Sequence, residues 1–195
     1  MRRITVLALV LTLGACTSSN GAIETTTTLP TTTSTTTPES TTTTELPPFG
    51  VTSLAFEDGE PIPALYTCDG EDLSPELQVV GLPEGTNSMA IIVDDPDAPL
   101  GTWDHWVEFD IPASTGTHQI SADSPPIGVE GVNSWHLEGY MGPCPPQGEE
   151  HTYHFRIYAL DGLLNLPMGI TSEELRTAME GRVIDTVELT GTYAR

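Results

Sequence analysis

The chain has 195 residues, with 28 acidic against 6 basic side chains for a formal net charge of −22, and it contains no lysine. That balance argues against nucleic acid as a partner, since backbone recognition needs a basic stripe, and it provides no long-range field to gather anions, so any anion site must rest on local donors. The length allows one domain of ordinary size with appendages.

The first appendage is "MRRITVLALVLTLGAC", two arginines and a short apolar segment ending in small residues and Cys16. It is too short to span a bilayer and reads as a secretory signal peptide over residues 1–15. The small residues ending in cysteine resemble a bacterial lipoprotein box, in which Cys16 would be lipidated; the alternative is an ordinary signal whose cysteine is incidental. On the first reading the protein is exported and lipid-anchored to the outer face of the bacterial cell membrane. Residues 16–47 then form a tether, because "TTTTLPTTTSTTTPESTTTT" has too little apolar surface to offset the entropy of ordering. At about 3 Å per residue, roughly 30 extended residues reach up to ~90 Å from the bilayer, and the hydroxyls are candidates for glycosylation.

Residues 48–195 suffice for one sizeable core. With Cys16 taken by lipid, Cys68 and Cys144 remain, an even number in an exported protein, and a disulfide is the first reading. The rival is a metal site with the histidines, although no C-x-x-C or H-E-x-x-H spacing occurs and no cofactor is called for. "SMAIIVD" predicts a central strand buried on both faces. "TWDHWVEFDIP" alternates, which puts Trp103, His105, Val107, Phe109 and Ile111 on one face. "HTYHFRIYAL" alternates too, setting His151, Tyr153, Phe155 and Ile157 against His154, Arg156 and Tyr158. The helix expected near the end is "TSEELRTAMEGRVI", with Thr171 as N-cap, Glu174 three residues on, and Leu175, Met179 and Val183 at helical spacing. "VELTGTY" predicts a last strand.

Between the strands lie stretches rich in proline and glycine, "YTCDGEDLSPEL" and "GYMGPCPPQGEE", of the kind that carry sites. In "DDPDAP", Pro96 and Pro99 stop the preceding strand and present Asp95 and Asp97 from a rigid turn. Taken singly, each candidate has a structural reading: aspartates bonding their own backbone, His105 as a core histidine, Tyr153 as a core aromatic. His118, His136 and His154 have no partners that the sequence names and are expected at the surface.

Taken in order, "YTCDGEDLSPEL", "GLPEGTNSMAIIVDDPDAP", "HWVEFDIP", "GYMGPCPPQG", "HTYHFRIYALD", "ELRTAMEG" and "LTGTY" resemble the phosphatidylethanolamine-binding protein family, in particular its bacterial Raf-kinase-inhibitor-like branch. The resemblance implies a mostly β fold, an antiparallel, Greek-key-like β-sandwich with a few short helices, including one near the C-terminus. It also implies a small pocket for anions such as phosphate or a phospholipid head group, built from Asp95, Asp97, His105, Gly142, Pro145, His151 and Tyr153, with a cis bond before Pro99. Within it, Asp95 is expected to hold His105 as a donor and favour its protonated form. The family's usual histidine–arginine–tyrosine reads His151, Thr152, Tyr153 here, removing a fixed positive charge.

The function that follows is a non-catalytic, surface-anchored module binding small anions. An inhibitor or scaffold of an extracytoplasmic protease or cell-wall enzyme comes second. An acid–base hydrolase comes third, since no G-x-S-x-G nucleophile elbow appears.

Overall fold

The computed structural model describes residues 47–113 and 116–195; the signal peptide, Cys16 and most of the tether lie outside the described residues. Two antiparallel sheets form the architecture. The smaller has the order β1-β2-β5, from β1 (Gly50–Ser53), β2 (Leu77–Val80) and β5 (His118–Ile120). The larger has the order β6-β4-β3-β7-β8, from β3 (Ser88–Asp95), β4 (Trp103–Pro112), β6 (Val129–Glu130), β7 (Glu150–Leu160) and β8 (Val183–Ala194). The chain is therefore mostly β, an antiparallel sandwich.

Strand β3 sits at the centre of the larger sheet and is buried at all of its residues, as its unbroken apolar run predicts. Its two faces feed two cores. Met89, Ile91 and Val93 pack with Phe155 and Ile157 against Val51, Leu77, Val79 and Ile120 of the smaller sheet. Ala90 and Ile92 pack with Val107, Phe109 and Leu160 beneath Leu175 and Met179 of the helix α1 (Ser172–Met179). At about 25 cal/mol per Å² of apolar surface removed from water, this two-sided burial makes β3 a strong contributor to the stability of the fold.

Helix α1 begins as its sequence predicts. The Thr171 side chain accepts from the Glu174 amide, and Glu174 accepts from the Thr171 amide, a capping box. It ends earlier than the spacing predicts, at Met179, because Gly181 takes φ +72° and turns the chain into β8. Val183 therefore opens that strand, 38% exposed, and takes no part in the helix.

Strand β4 departs from simple alternation. Its pairing with β3 shifts twice: Met89 faces Ile111 while Ile91 faces Glu108, and Val93 faces Trp106 while Asp94 faces Asp104. Each shift inserts one extra β4 residue, the first near Asp110 at φ +54°, the second at His105. Trp106 and Ile111 consequently join the core between the sheets, and Val107 and Phe109 join the core under the helix. Strand β7 keeps its alternation, with His151, Tyr153, Phe155 and Ile157 all buried and His154, Arg156 and Tyr158 partly exposed on the other side. His136 is exposed, as expected; His118 and His154 are half-buried, and His154 lies 3.1 Å from Glu188.

The two irregular stretches are stitched to each other. Cys68 and Cys144 form a disulfide with their Cα atoms 5.5 Å apart. The Cys68 amide donates to the Pro143 carbonyl at 3.2 Å, the Tyr140 hydroxyl to the Tyr66 carbonyl at 2.9 Å, and the Gly142 amide to Asp72 at 2.6 Å. Gly142 allows this approach, since a Cβ there would lie 2.3 Å from the Tyr66 carbonyl oxygen.

The disulfide closes a loop with a sequence separation of 76 residues. Replacing both cysteines with serine should lower the unfolding free energy by roughly 4 kcal/mol in the chain-entropy model. Denaturant titration of Cys68→Ser/Cys144→Ser checks this, and the reduced wild type should match the variant.

Candidate functional site

Antiparallel pairing collects chain ends at one edge of the larger sheet. The end of β3 lies beside the start of β4 through Asp95 and Trp103, and the start of β7 lies beside the end of β8 through His151 and Tyr193. Residues far apart in sequence thus meet around one cavity of about 390 Å³, whose walls include Asp95, Trp103, His105, Trp135, Pro145, His151 and Arg195.

Four of the residues expected from sequence, Asp95, His105, Pro145 and His151, line this cavity. The other three do not line it. Asp97 accepts from the Thr152 amide at 2.9 Å and so fastens the "DPDAP" turn to β7. Gly142 is spent on the Asp72 contact. Tyr153 is fully buried, with its ring 5.2 Å from that of His105 and 6.5 Å from that of His151. Its hydroxyl makes no well-formed hydrogen bond, and burial, reinforced by the nearby Asp95 charge, pushes its pKa well up, so it remains a phenol.

Asp95 pairs with His151, not with His105. One Asp95 oxygen meets His151 Nδ1 at 2.7 Å, and the other accepts the Asp97 amide at 2.9 Å. The remaining His151 nitrogen, Nε2, lies 3.3 Å from Glu149. His151 is only 3% exposed. Burial disfavours its charge, but the Asp95 and Glu149 hydrogen bonds and the Asp95 and Asp97 charges outweigh that, and its pKa is raised. The site therefore favours the His151 imidazolium more than water does a free imidazole.

His105 behaves in the opposite way. Its Nδ1 lies 2.6 Å from the Met141 carbonyl, which can only accept, so the ring carries its proton there. Burial pushes the His105 pKa down, more strongly than the Met141 carbonyl, the Asp95 charge and the Gly142 backbone push it up. The expectation of a charged His105 held by Asp95 is overturned, since a buried imidazole facing one carbonyl costs less neutral than charged.

The bond before Pro99 is trans, as are all the described peptide bonds, which corrects the expected cis proline. The physical reason is the turn that follows: the Gly101 amide donates to the Ala98 carbonyl at 3.1 Å, and a trans proline at the second position of such a turn has its φ set in advance.

Among the wall residues that sequence reasoning did not assign to the site, three stand out. Trp135 stands with its ring 5.3 Å from Trp103 and 5.1 Å from His105, both edge-on. It is held by Asn133, whose side chain accepts from the Trp135 and Leu137 amides at 3.0 and 3.2 Å. Leu100 lies on the rim, 92% exposed. Arg195 is the third: its Nε lies 3.1 Å from Asp69, and its guanidinium reaches Cys144 Sγ at 3.4 Å. It supplies a fixed cation at the cavity that Thr152 does not. The signal for Trp135 was its "NSW" turn; nothing local to Arg195 marked it.

Comparison with known proteins agrees with this architecture. A family model described as phosphatidylethanolamine-binding protein matches residues 52–194. A UPF0098 protein of Pyrococcus horikoshii is 47% identical over 149 residues, covering 73% of this chain and 75% of that protein. A UPF0098 protein of Aquifex aeolicus is 41% identical over 152 residues, covering 74% and 88%. Among solved structures, a phosphatidylethanolamine-binding protein homolog from Chlamydia trachomatis superposes with a TM-score of 0.71 at 37% identity, covering 76% of this chain and 98% of that one. E. coli YbcL, described as a member of the mammalian family, gives 0.70 at 32% identity, covering 75% and 98%. From the two-sheet fold, the ordered motifs and these matches together, the chain belongs to the phosphatidylethanolamine-binding protein family.

Proposed function

We propose that the protein is a non-catalytic binding module whose cavity holds a small anionic group, phosphate or a phospholipid head group. The observation that carries this reading is His151, buried and with its cationic form favoured by Asp95, at a cavity whose rim also bears Arg195. In a chain of net charge −22, two cations facing one concave, largely apolar space supply the local donors that an anion requires. A non-catalytic role is supported by the engagement of the reactive groups: both Asp95 oxygens are bonded, and Cys68 and Cys144 are joined to each other.

The setting follows from the N-terminal sequence. Residues 1–15 act as the signal peptide, Cys16 carries the lipid, and residues 16–47 tether the binding domain outside the membrane as an exported lipoprotein; the ordered domain motifs support the Raf-kinase-inhibitor-like branch. Labelled palmitate should enter the wild-type protein in bacterial cells and not a Cys16→Ser variant, which should appear in the soluble extracytoplasmic fraction. Equal labelling of both would refute the anchor.

The pH dependence has a definite sign. His151 binds an anion best when protonated, and its folded pKa lies above the ordinary value of about 6.5. Affinity for phosphate should therefore be highest below that ordinary value and fall as pH rises through the raised one. By linkage, phosphate must raise the His151 pKa further. NMR titration of the imidazole with and without phosphate checks this; a coincident pair of curves would mean that the anion does not sense His151.

Glu149 competes with the ligand, since it faces His151 Nε2 at 3.3 Å. At pH 5.5, where His151 stays protonated either way, Glu149→Gln should tighten phosphate binding by about threefold to tenfold. Glu150→Gln removes the same charge one residue on, from a side chain that does not meet His151, and should change binding less. Isothermal calorimetry on the two variants makes the comparison.

A further inference from the structure

The hydrogen-bonding groups around the cavity are not all donors. His105 lines it, only 2% exposed, and has committed Nδ1 and its proton to the Met141 carbonyl at 2.6 Å. What His105 can offer a ligand is the lone pair of Nε2. Burial lowers its pKa, so the ring does not convert readily into a second donor. The charge that would most naturally protonate it, Asp95, is committed to His151 and to the Asp97 amide. The cavity therefore sets one buried acceptor, His105, against two cationic donors, His151 and Arg195, with the edge-on pair Trp103 and Trp135 beside the acceptor.

We propose that this pocket selects oxyanions that retain a proton, namely phosphate or a phosphomonoester as its monoanion, and discriminates against phosphodiesters and sulfate esters of equal charge. The P–OH group donates to His105 Nε2, while the unprotonated oxygens accept from His151 and Arg195. A diester or sulfate ester has only acceptors to present, so an oxygen lone pair would face the Nε2 lone pair of a ring that is itself only 2% exposed. Leaving a buried acceptor without a donor costs its desolvation penalty, so the mismatch discriminates strongly. The inference rests on the anion-binding reading above and goes beyond it: of the two ligand sources named there, the diester head group is the disfavoured one.

The test uses the wild-type protein, so no variant has to fold. At pH 5.5, methyl phosphate keeps one proton, since its second pKa is about 6, and it carries roughly the same single negative charge as dimethyl phosphate and methyl sulfate, which keep none. Calorimetry should show methyl phosphate binding at least about fivefold more tightly than either. If all three bind with a smaller margin, the donor requirement is wrong and the anion site stands; if none binds, both fall. At pH 5.5, vesicles containing phosphatidic acid, a monoester, should be bound in preference to vesicles containing phosphatidylglycerol, a diester with a single negative charge and no P–OH, and the reverse order would also overturn the proposal.

Discussion

The site depends on one buried contact, the 2.7 Å pairing of Asp95 with His151. It joins the end of the central strand to the start of its neighbour, and it favours the cationic form of a buried imidazole in a protein whose charge is overwhelmingly negative. Removing two opposite charges from water costs several kcal/mol per ion unless the remaining hydrogen-bonding capacity is satisfied. Here it is: the second carboxylate oxygen takes the Asp97 amide, and the second imidazole nitrogen meets Glu149. The pair is best understood as a means of holding charge and orientation, since a buried ion pair is weak evidence of stability in its own right.

The two consecutive aspartates that end β3 show how one strand serves two faces. Asp95 turns towards the cavity. Asp94, 2% exposed, turns to the helix side, where Arg156 and Arg176 meet it at 2.5 and 2.6 Å. Beside it, Asp104 accepts from the Ser172 hydroxyl at 2.6 Å and has its pKa raised, mainly by burial. Period-two geometry dictates the separation: adjacent β residues point to opposite sides, so a strand covered on both faces needs a partner for each terminal charge. The arginine–aspartate cluster anchors the strand end from one side, and the histidine fixes it from the other.

Much of the fold was legible because hydrophobic pattern and local chemistry agree. The unbroken run at 88–93, the alternation of β7 and the Thr171–Glu174 capping box each state their structure locally. The β4 pattern misled because it is nearly regular. Two inserted residues, one at Asp110 and one at His105, exchange faces within a segment that reads as alternating, and a bulge is visible only in the pairing with a neighbouring strand. The same bulge brings His105 against Tyr153, so what defeated the pattern also builds the cavity wall.

Sequence alone determined the two-sided burial of the central strand, through its unbroken apolar run, made a Cys68–Cys144 disulfide the first reading, and named the pocket residues only through resemblance to the family. Tertiary structure decided which histidine carries the charge. Asp95 reaches His151 and leaves His105 to the Met141 carbonyl, so the charged form is favoured on one imidazole and disfavoured on the other. It also brought Arg195 to the rim across more than forty residues from His151 in the chain, and it made the bond before Pro99 trans. The physical reason is the same in each case: protonation state, tautomer and isomer depend on the nearest groups in space, and those are set by the packing of distant strand ends.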